Sequence, residues 1–287
     1  MKVYVPHPRL RPYVQDLHIW EYAPMGGGVR EWLPDSGVEL MFGFGAPLAV
    51  VDGPGGRGRD MPQCYRVGLM DRPITLRVTE TVRLVGAKLH AWGAGPLLGA
   101  WTVEAAKETI LPLDGTWTPL AVEMERALRA GDDDRAIRQL QSFLLARLQE
   151  APAVPRELLA AAHRMRAADG QIAIGDLVAR SGLSLRQLER GFKALAGVSP
   201  KALARTMRLE CVLYHLRREP SADLATLAYT YGYADQAHLT REVRALTGCT
   251  PVELRKLEMR ARARREGQSA PQQGEVDVNA ILAAANA

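Results

Sequence analysis

Basic and amide side chains recur at helical spacing in two stretches of the second half of the sequence. Arg186 and Arg190 are four residues apart, so a helix would point both of them to one side. Arginine is the commonest reader of guanine in the major groove of duplex DNA, and glutamine can read adenine there. The residues that we expect to contact DNA are Arg186, Gln187, Glu189, Arg190 and Lys193 in the first stretch and Gln236, His238, Thr240, Arg241 and Arg244 in the second.

The elements that must position these side chains come from an internal repeat. Residues 176–200 read DLVARSGLSLRQLERGFKALAGVSP, and residues 226–251 read TLAYTYGYADQAHLTREVRALTGCTP. Gly182 of the first copy aligns with Gly232 of the second. Each copy predicts a short helix, a tight turn with glycine and a second helix with a basic face, which is the helix-turn-helix plan.

The second helix of each copy has a predicted start and a predicted buried face. Ser184 and Asp235 stand where N-cap residues are expected. Apolar residues at helical spacing predict the side that faces the core. They are Leu185, Leu188, Phe192 and Leu195 in the first copy and Leu239, Val243 and Leu246 in the second.

The segment between the two copies, Pro200–Arg218, predicts one long helix. We expect Leu203, Met207, Cys211 and Leu216 to point inward. A helix of 19 residues spans roughly 28 Å, and major-groove faces recur about every 34 Å on one side of B-DNA. The segment therefore predicts a rigid spacer that holds the two units near adjacent major grooves. Some basic residues on or near it are expected to contact phosphate, the candidates being Lys201, Arg205, Arg208, Arg217 and Arg218.

Charge is distributed unevenly along the chain. Residues 156–265 contain 20 basic and 11 acidic side chains, whereas residues 1–155 contain 17 basic and 18 acidic ones. An asymmetry of this kind indicates a polyanionic partner for the C-terminal half. It predicts that residues 156–265 alone bind DNA.

The first half of the sequence predicts a different kind of domain. Apolar runs broken by glycine and proline are typical of short strands, and apolar residues at three- and four-residue spacing after residue 99 predict helices. The glycine-rich stretch 52–60 predicts a flexible loop without a strand, and the stretch 151–155 predicts a linker. The expected strands are Asp16–Tyr22, Gly37–Phe44 and Thr81–Leu89, and the expected helices are Leu120–Leu128 and Arg135–Leu148.

The predicted architecture is α+β. An N-terminal β-rich, barrel-like domain with packing helices precedes an all-α domain in which a long helix joins two helix-turn-helix units. The expected parts are a sensor or dimerisation domain, a linker, a DNA-binding domain and a flexible tail, with bounds at residues 1–150, 151–155, 156–265 and 266–287.

The second repeat resembles the AraC/XylS family of bacterial transcription regulators. The resemblance is carried by LAYTYGYADQ at residues 227–236 and by GCTP at residues 248–251, and it extends from Arg156 to about residue 260. It implies a regulator that binds promoter DNA, with a departure at Val243, where the family usually has an aromatic residue. The stretch LPDSGVEL at residues 33–40 is similar to the sensor domains of some members. The resemblance places Arg186, Glu189, Arg190, Gln236, His238 and Arg241 towards the bases.

Catalytic readings of the sequence are less favoured. His7, His18 and His90 match no metal-ligand spacing, so structural roles are favoured over a metal site. The glycines at residues 26–28 lack the Lys-Ser/Thr of a phosphate-binding loop. Cys64 is either a redox sensor or, as we favour, a plain thiol. We therefore expect no enzyme activity, no metal and no cofactor.

Tryptophans are confined to the first half of the chain, which leaves two readings of that domain. They either fill the core or line an apolar pocket for a small-molecule effector. The candidate effector-binding residues are Trp20, Trp32 and Trp92.

These observations predict a sequence-specific transcription regulator. We expect it to contact RNA polymerase if it activates transcription, and a small-molecule effector and a homodimer are possible partners. The alternatives are an effector-independent architectural DNA-binding protein and an enzyme with an appended DNA anchor. Three cysteines without a C-x-x-C motif and the lack of a secretory signal indicate a cytoplasmic protein. No run approaches the roughly 18 apolar residues of a membrane span.

Overall fold

The computed structural model describes residues 1–24, 29–32, 35–51, 58–70, 73–99, 110–256 and 259. The predicted tail at residues 266–287 lies outside the described residues, as do residues 33–34 of the sensor-like stretch and residues 26–28.

Two antiparallel sheets form the N-terminal domain. Their strands are β1 (Lys2–Tyr4), β2 (Val14–Tyr22), β3 (Val29–Trp32), β4 (Gly37–Gly45), β5 (Ala49–Val51), β6 (Gly58–Asp60), β7 (Cys64–Val67), β8 (Ile74–Arg77), β9 (Val82–His90) and β10 (Ile110–Pro112). The larger sheet has the strand order β1-β2-β9-β4-β7-β10 and the smaller has the order β3-β8-β5-β6.

Alternating side chains give the large sheet two buried faces. Met41 and Leu84 pack against Leu76 of the small sheet, whereas Leu40 and Phe42 belong to the core that contains the helices. Both faces are buried because helices cover the side of the sheet that an isolated antiparallel sheet would leave in water.

The strands predicted over β2, β4 and β9 are confirmed, with bounds that differ by one or two residues. The prediction that residues 52–60 hold no strand is wrong for its end, since residues 58–60 form β6 and pair with β5. Backbone hydrogen bonds from a neighbouring strand override the weak strand preference of glycine there. The strand β10 was likewise not predicted, and it pairs with β7.

Nine α-helices are labelled here in chain order, residues 251–256 are also helical, and the helices predicted near residues 120–148 are confirmed. In the N-terminal part they are α1 (Ala94–Leu98), α2 (Thr118–Arg129) and α3 (Asp133–Glu150). In the C-terminal part they are α4 (Arg156–Ala167), α5 (Ile174–Ser181), α6 (Leu185–Ala196), α7 (Pro200–Arg218), α8 (Leu224–Thr230) and α9 (Gln236–Thr247).

Helices α5 and α6 form one helix-turn-helix unit, and α8 and α9 form the other. Gly182 and Gly232 both have positive φ, at 71°, where the chain leaves the first helix of each unit. Glycine adopts this conformation without the steric penalty of a Cβ. The predicted caps Ser184 and Asp235 accept hydrogen bonds at the starts of α6 and α9.

The predicted buried faces of the recognition helices are correct except at one residue. Leu188, Phe192, Leu239 and Val243 are buried, and Leu195 and Leu246 are half-buried. Leu185, by contrast, is 50% exposed. It is the first residue of α6, where the helix has not yet reached the core.

The spacer helix α7 has the bounds that the sequence predicts. Leu203, Met207 and Leu216 are buried, while Cys211 is half-buried. The start of α7 contributes Leu203 to the core that contains the sheet helices. From Leu209 onward, α7 contributes to a separate core with α8 and α9.

The first helix-turn-helix unit shares its core with the N-terminal domain. Leu158 of α4 and Phe192 of α6 belong to the same apolar cluster as Trp92 and Leu97. At Gly95 of α1, a Cβ would lie 3.1 Å from the Ala194 carbonyl oxygen, so the two segments are in close contact. Within the described residues, every helix is too short or too polar to span a lipid bilayer.

Candidate nucleic-acid interface

The first recognition helix, α6, begins with a reciprocal cap. Ser184 Oγ accepts a hydrogen bond from the backbone N–H of Gln187 at 3.3 Å, and Gln187 Oε1 accepts one from the backbone N–H of Ser184 at 2.9 Å. This capping box fixes where the helix starts. It also occupies the amide oxygen that bidentate reading of adenine requires, so Gln187 holds the helix end in this structure.

The basic residues of α6 lie on its exposed side. Arg186, Arg190 and Lys193 are exposed, and so is Glu189. Within the described part of the chain, none of these four side chains forms a hydrogen bond or an ion pair. The opposite side of the helix is anchored by Phe192, which is 1% exposed. The face is therefore held rigidly from behind while its charged groups remain available.

The second recognition helix, α9, begins with a different cap. Asp235 Oδ1 accepts a hydrogen bond from the backbone N–H of His238 at 2.6 Å. The backbone N–H of Ala234 donates to His238 Nδ1 at 3.2 Å, and the imidazole lies edge-to-face against Tyr233 at 5.5 Å. The turn therefore uses one ring nitrogen of His238, and Nε2 is left to meet a partner.

Other side chains of α9 are either bonded to their own helix or exposed without a described partner. The Thr240 hydroxyl donates to the Gln236 carbonyl oxygen at 2.8 Å, which ties it to its own helix. Gln236 and Arg241 are exposed, and their side chains have no hydrogen-bond partner among the described residues. Arg244 is exposed one turn further along the helix.

Two arginines that the sequence offers as phosphate contacts instead hold the second unit on α7. Arg205 donates to both carboxylate oxygens of Glu242 on α9, with Nε–Oε2 at 2.6 Å and Nη2–Oε1 at 3.2 Å. Arg208 donates to the Gly232 carbonyl oxygen at 3.2 Å and lies over the Tyr233 ring at 5.1 Å. No local sequence pattern pairs these residues, because the partners are 24 and 37 residues away.

The three candidate effector-binding tryptophans do not line one pocket. Trp20 and Trp32 lie edge-to-face, with ring centroids 6.4 Å apart. Trp92 lies elsewhere, in the core between the domains, where Nε1 donates to the Pro12 carbonyl oxygen at 2.8 Å. It stacks on His90 at 4.5 Å.

A cavity of about 220 Å³ lies at another position in the N-terminal domain. It is bordered by the end of β4 and the turn that follows it, by the start of β7 and the residues before it, and by side chains of β9 and α2. The described residues that border it include Phe44, Leu48, Met61, Tyr65, Leu84 and Glu125. None of the three candidate tryptophans is among them.

Comparisons with known proteins match two parts of the chain. Residues 177–257 match a family described as a helix-turn-helix domain, and residues 2–110 match a family described as a domain of unknown function, DUF6597. No curated protein matches the sequence significantly.

Solved structures of ToxT from Vibrio cholerae are similar at low identity. One is 8% identical over 84% of this chain and 96% of that chain, with a TM-score of 0.44. Another, described as wild-type ToxT bound to unsaturated fatty acid, is 9% identical over 83% of this chain and 94% of that chain, with a TM-score of 0.43.

The helix-turn-helix match covers both repeated units, from Leu177 in α5 to residue 257. It includes both capped recognition helices and the spacer helix between them. The chain therefore carries an AraC-type helix-turn-helix domain in its C-terminal part and is a DNA-binding transcription regulator.

Proposed function

We propose that the protein binds duplex DNA sequence-specifically, with α6 and α9 reading two adjacent major grooves. The observation that carries the proposal is the set of exposed side chains on α6 and α9 that have no described partner. Arg186 and Arg190 share one face of α6, and Arg241 lies on α9. Each helix is buried on its other side and is capped at its start. The helix backbones that carry these donors are therefore fixed before DNA arrives, which limits the entropy lost on binding to that of the side chains.

The spacing of the two readers supports the same proposal. The spacer α7 has 19 residues, which corresponds to roughly 28 Å of helix. This length is close to the repeat of about 34 Å between major-groove faces on one side of the duplex. One chain could then occupy two grooves.

The proposal assigns base contacts to Arg186, Glu189, Arg190, Gln236, His238 and Arg241. Lys193 and Arg244 lie further along the two helices and are assigned to phosphate. Gln187 and Thr240 use polar groups for their own helices, so we assign them a smaller part in reading.

The test uses the full-length chain on DNA from its own promoter region. Footprinting would first locate the site, and binding would then be measured for Arg190→Ala and Arg241→Ala. Loss of a bidentate arginine contact should weaken binding by about 1–3 kcal/mol and relax preference at one base pair, with the two variants affecting different halves of the site.

The matched control is Arg135→Ala, which removes an exposed arginine from α3 of the N-terminal domain. It should leave the base preference unchanged. If Arg190→Ala and Arg241→Ala weaken binding to all sequences equally, which is the effect of a change in net charge alone, then neither residue reads a base. Binding should also weaken steeply with salt, because phosphate contacts release counterions.

The proposal further includes control by a small-molecule effector, contact with RNA polymerase and a homodimer, and it assigns no enzyme activity to the chain. Support for effector control comes from packing, since the N-terminal domain contacts α6 directly. A thermal-shift screen of the full chain against metabolites tests for an effector. The architectural alternative is favoured if no compound alters either the melting temperature or DNA binding.

A further inference from the structure

A half-buried ionic cluster joins the N-terminal domain to the middle of the spacer helix. The carboxylate of Glu210 on α7 accepts a hydrogen bond from Ser36 Oγ at 2.5 Å and one from Arg166 Nη1 on α4 at 2.6 Å. Its other oxygen lies 3.7 Å from Lys88 Nζ on β9. Lys88 also bonds Asp35 at 3.0 Å. Residues before and within the large sheet thus meet α7 at a single carboxylate.

The charges in this cluster are balanced. Two carboxylates, Asp35 and Glu210, face two cations, Lys88 and Arg166. Burial alone would raise the pKa of Glu210, but Arg166 and Lys88 outweigh it and lower that pKa to about 2. Glu210 therefore stays ionised at neutral pH. Removing one partner would leave the opposite charge of a half-buried pair uncompensated, so these ion pairs hold Glu210 in place.

Glu210 lies where α7 passes from one core to the other. Met207 belongs to the core shared with the N-terminal domain, and Leu209 belongs to the core of the second helix-turn-helix unit. Arg205 and Arg208, within five residues of Glu210, hold α9 and its turn through Glu242 and Gly232. The second unit thus depends on α7 for its position, and Glu210 fixes α7 against the N-terminal domain.

We infer that Glu210 is a positioning residue for DNA recognition. By tying α7 to Ser36 and Lys88 of the N-terminal domain, it sets where the second reader lies relative to the first. This inference rests on the proposed function, because it presumes that α6 and α9 read two halves of one site. The gain is the increase in affinity when both halves of the site are on one DNA. Loss of the contact at Glu210 should reduce this gain more than it reduces the affinity for either half alone.

The experiment measures this gain directly. Affinity of the full-length protein is determined on the footprinted site and on two sites with one half scrambled, the halves being assigned with Arg190→Ala and Arg241→Ala. Glu210→Gln keeps the size of the side chain and removes its charge. We expect Glu210→Gln to lower the affinity for the full site about tenfold or more, equivalent to about 1.4 kcal/mol. The affinity for the site that keeps only the first half should change less than about threefold.

Three further variants separate positioning from simple destabilisation. Ser36→Ala removes one hydrogen bond to Glu210 and leaves every charge paired, and it should lower the full-site gain in the same direction. Glu219→Gln removes the exposed acidic residue at the C-cap of the same helix, whose carboxylate lies 3.5 Å from His215 Nε2 and away from the cluster, and it should leave the gain unchanged. Glu210→Asp keeps the charge and should restore part of the gain. Circular dichroism and thermal melting establish that each variant folds.

The outcomes distinguish this inference from the proposed function. If the wild-type protein binds the full site no better than one half, the two-groove proposal fails. If the wild-type protein shows the gain and folded Glu210→Gln keeps it, the positioning role is wrong. Should Glu210→Gln fail to fold, the double variant Lys88→Met/Glu210→Gln, which removes one charge of each sign, and Ser36→Ala decide instead. An unchanged gain in both overturns the inference.

Discussion

At the scale of the residue, basic side chains near the interface separate into those that are free to meet DNA and those that hold the fold. Arg190 and Arg241 are exposed without a described partner, whereas Arg205 is committed to Glu242 by two hydrogen bonds. We expect Arg205→Met to lower the free energy of unfolding by about 1–2 kcal/mol, since it removes bonds between charged groups. Chemical denaturation of the two proteins measures this difference.

The salt dependence of DNA binding separates the two roles of arginine. Arg205→Met should weaken binding without changing the slope of log affinity against log salt, because no phosphate contact is lost. Arg244→Ala, at the assigned phosphate position, should reduce the steepness of that slope by about 1. A slope that falls by the same amount in Arg205→Met would show that Arg205 meets phosphate after all.

At the scale of the element, α7 must be stiff if one chain is to span two grooves. Its mid-helix Thr206 is half-buried, and its hydroxyl donates to the Ala202 carbonyl oxygen. Proline at this position removes a backbone hydrogen bond and clashes with the preceding turn, at about 3 kcal/mol or more. We expect Thr206→Pro to lower full-site affinity far more than affinity for either half.

The control for this change is Thr206→Ala, which removes the hydroxyl and preserves the helix. The proline is placed at position 206 and not at the nearby position 208, because Arg208 contacts both Gly232 and Tyr233 and its loss would remove those contacts as well. Circular dichroism must show that the proline variant folds. If it then binds the full site as tightly as the alanine variant, α7 does not act as a rigid spacer.

At the scale of the whole molecule, the interface between the two domains contains a buried histidine. The His90 ring stacks on Trp92 at 4.5 Å, nearly parallel, and lies edge-to-face against His163 of α4. Burial, together with the nearby Arg166, lowers the pKa of His90 to about 3 from its ordinary 6.5. The folded protein therefore holds this imidazole neutral.

This depressed pKa predicts how stability depends on pH. Between about pH 6.5 and pH 3 the unfolded chain binds a proton at His90 and the folded chain does not. The contribution of neutral His90 to the free energy of unfolding is therefore complete above pH 6.5 and decreases as the pH falls towards 3. His90→Phe keeps a stacking ring without the titration. Its stability should fall less steeply in that range, by about 1.4 kcal/mol per pH unit, when denaturation is measured at several pH values. Equal slopes would mean that His90 is protonated in the folded state.

The shared core also bears on the prediction that residues 156–265 bind DNA alone. Charge supports it, but in the structure Leu158 and Phe192 pack in one cluster with Trp92 and Leu97. A fragment that begins at residue 156 would expose this surface to water. The free-energy cost is proportional to the apolar area that becomes accessible. For this reason each experiment uses the full chain.

Features that depend only on neighbouring residues could be predicted from the amino-acid sequence. The repeat, the caps Ser184 and Asp235, the glycine turns and the bounds of α7 were predicted because capping, positive φ and helical periodicity are local properties. Which side chains bind partners far away in the sequence depends on the three-dimensional fold. Glu210 meets Ser36 across 174 residues, and Arg205 meets Glu242 across 37. Such pairs form because a charge that folding removes from water needs a hydrogen-bond donor or an opposite charge beside it, and the fold, not the local pattern, supplies that partner.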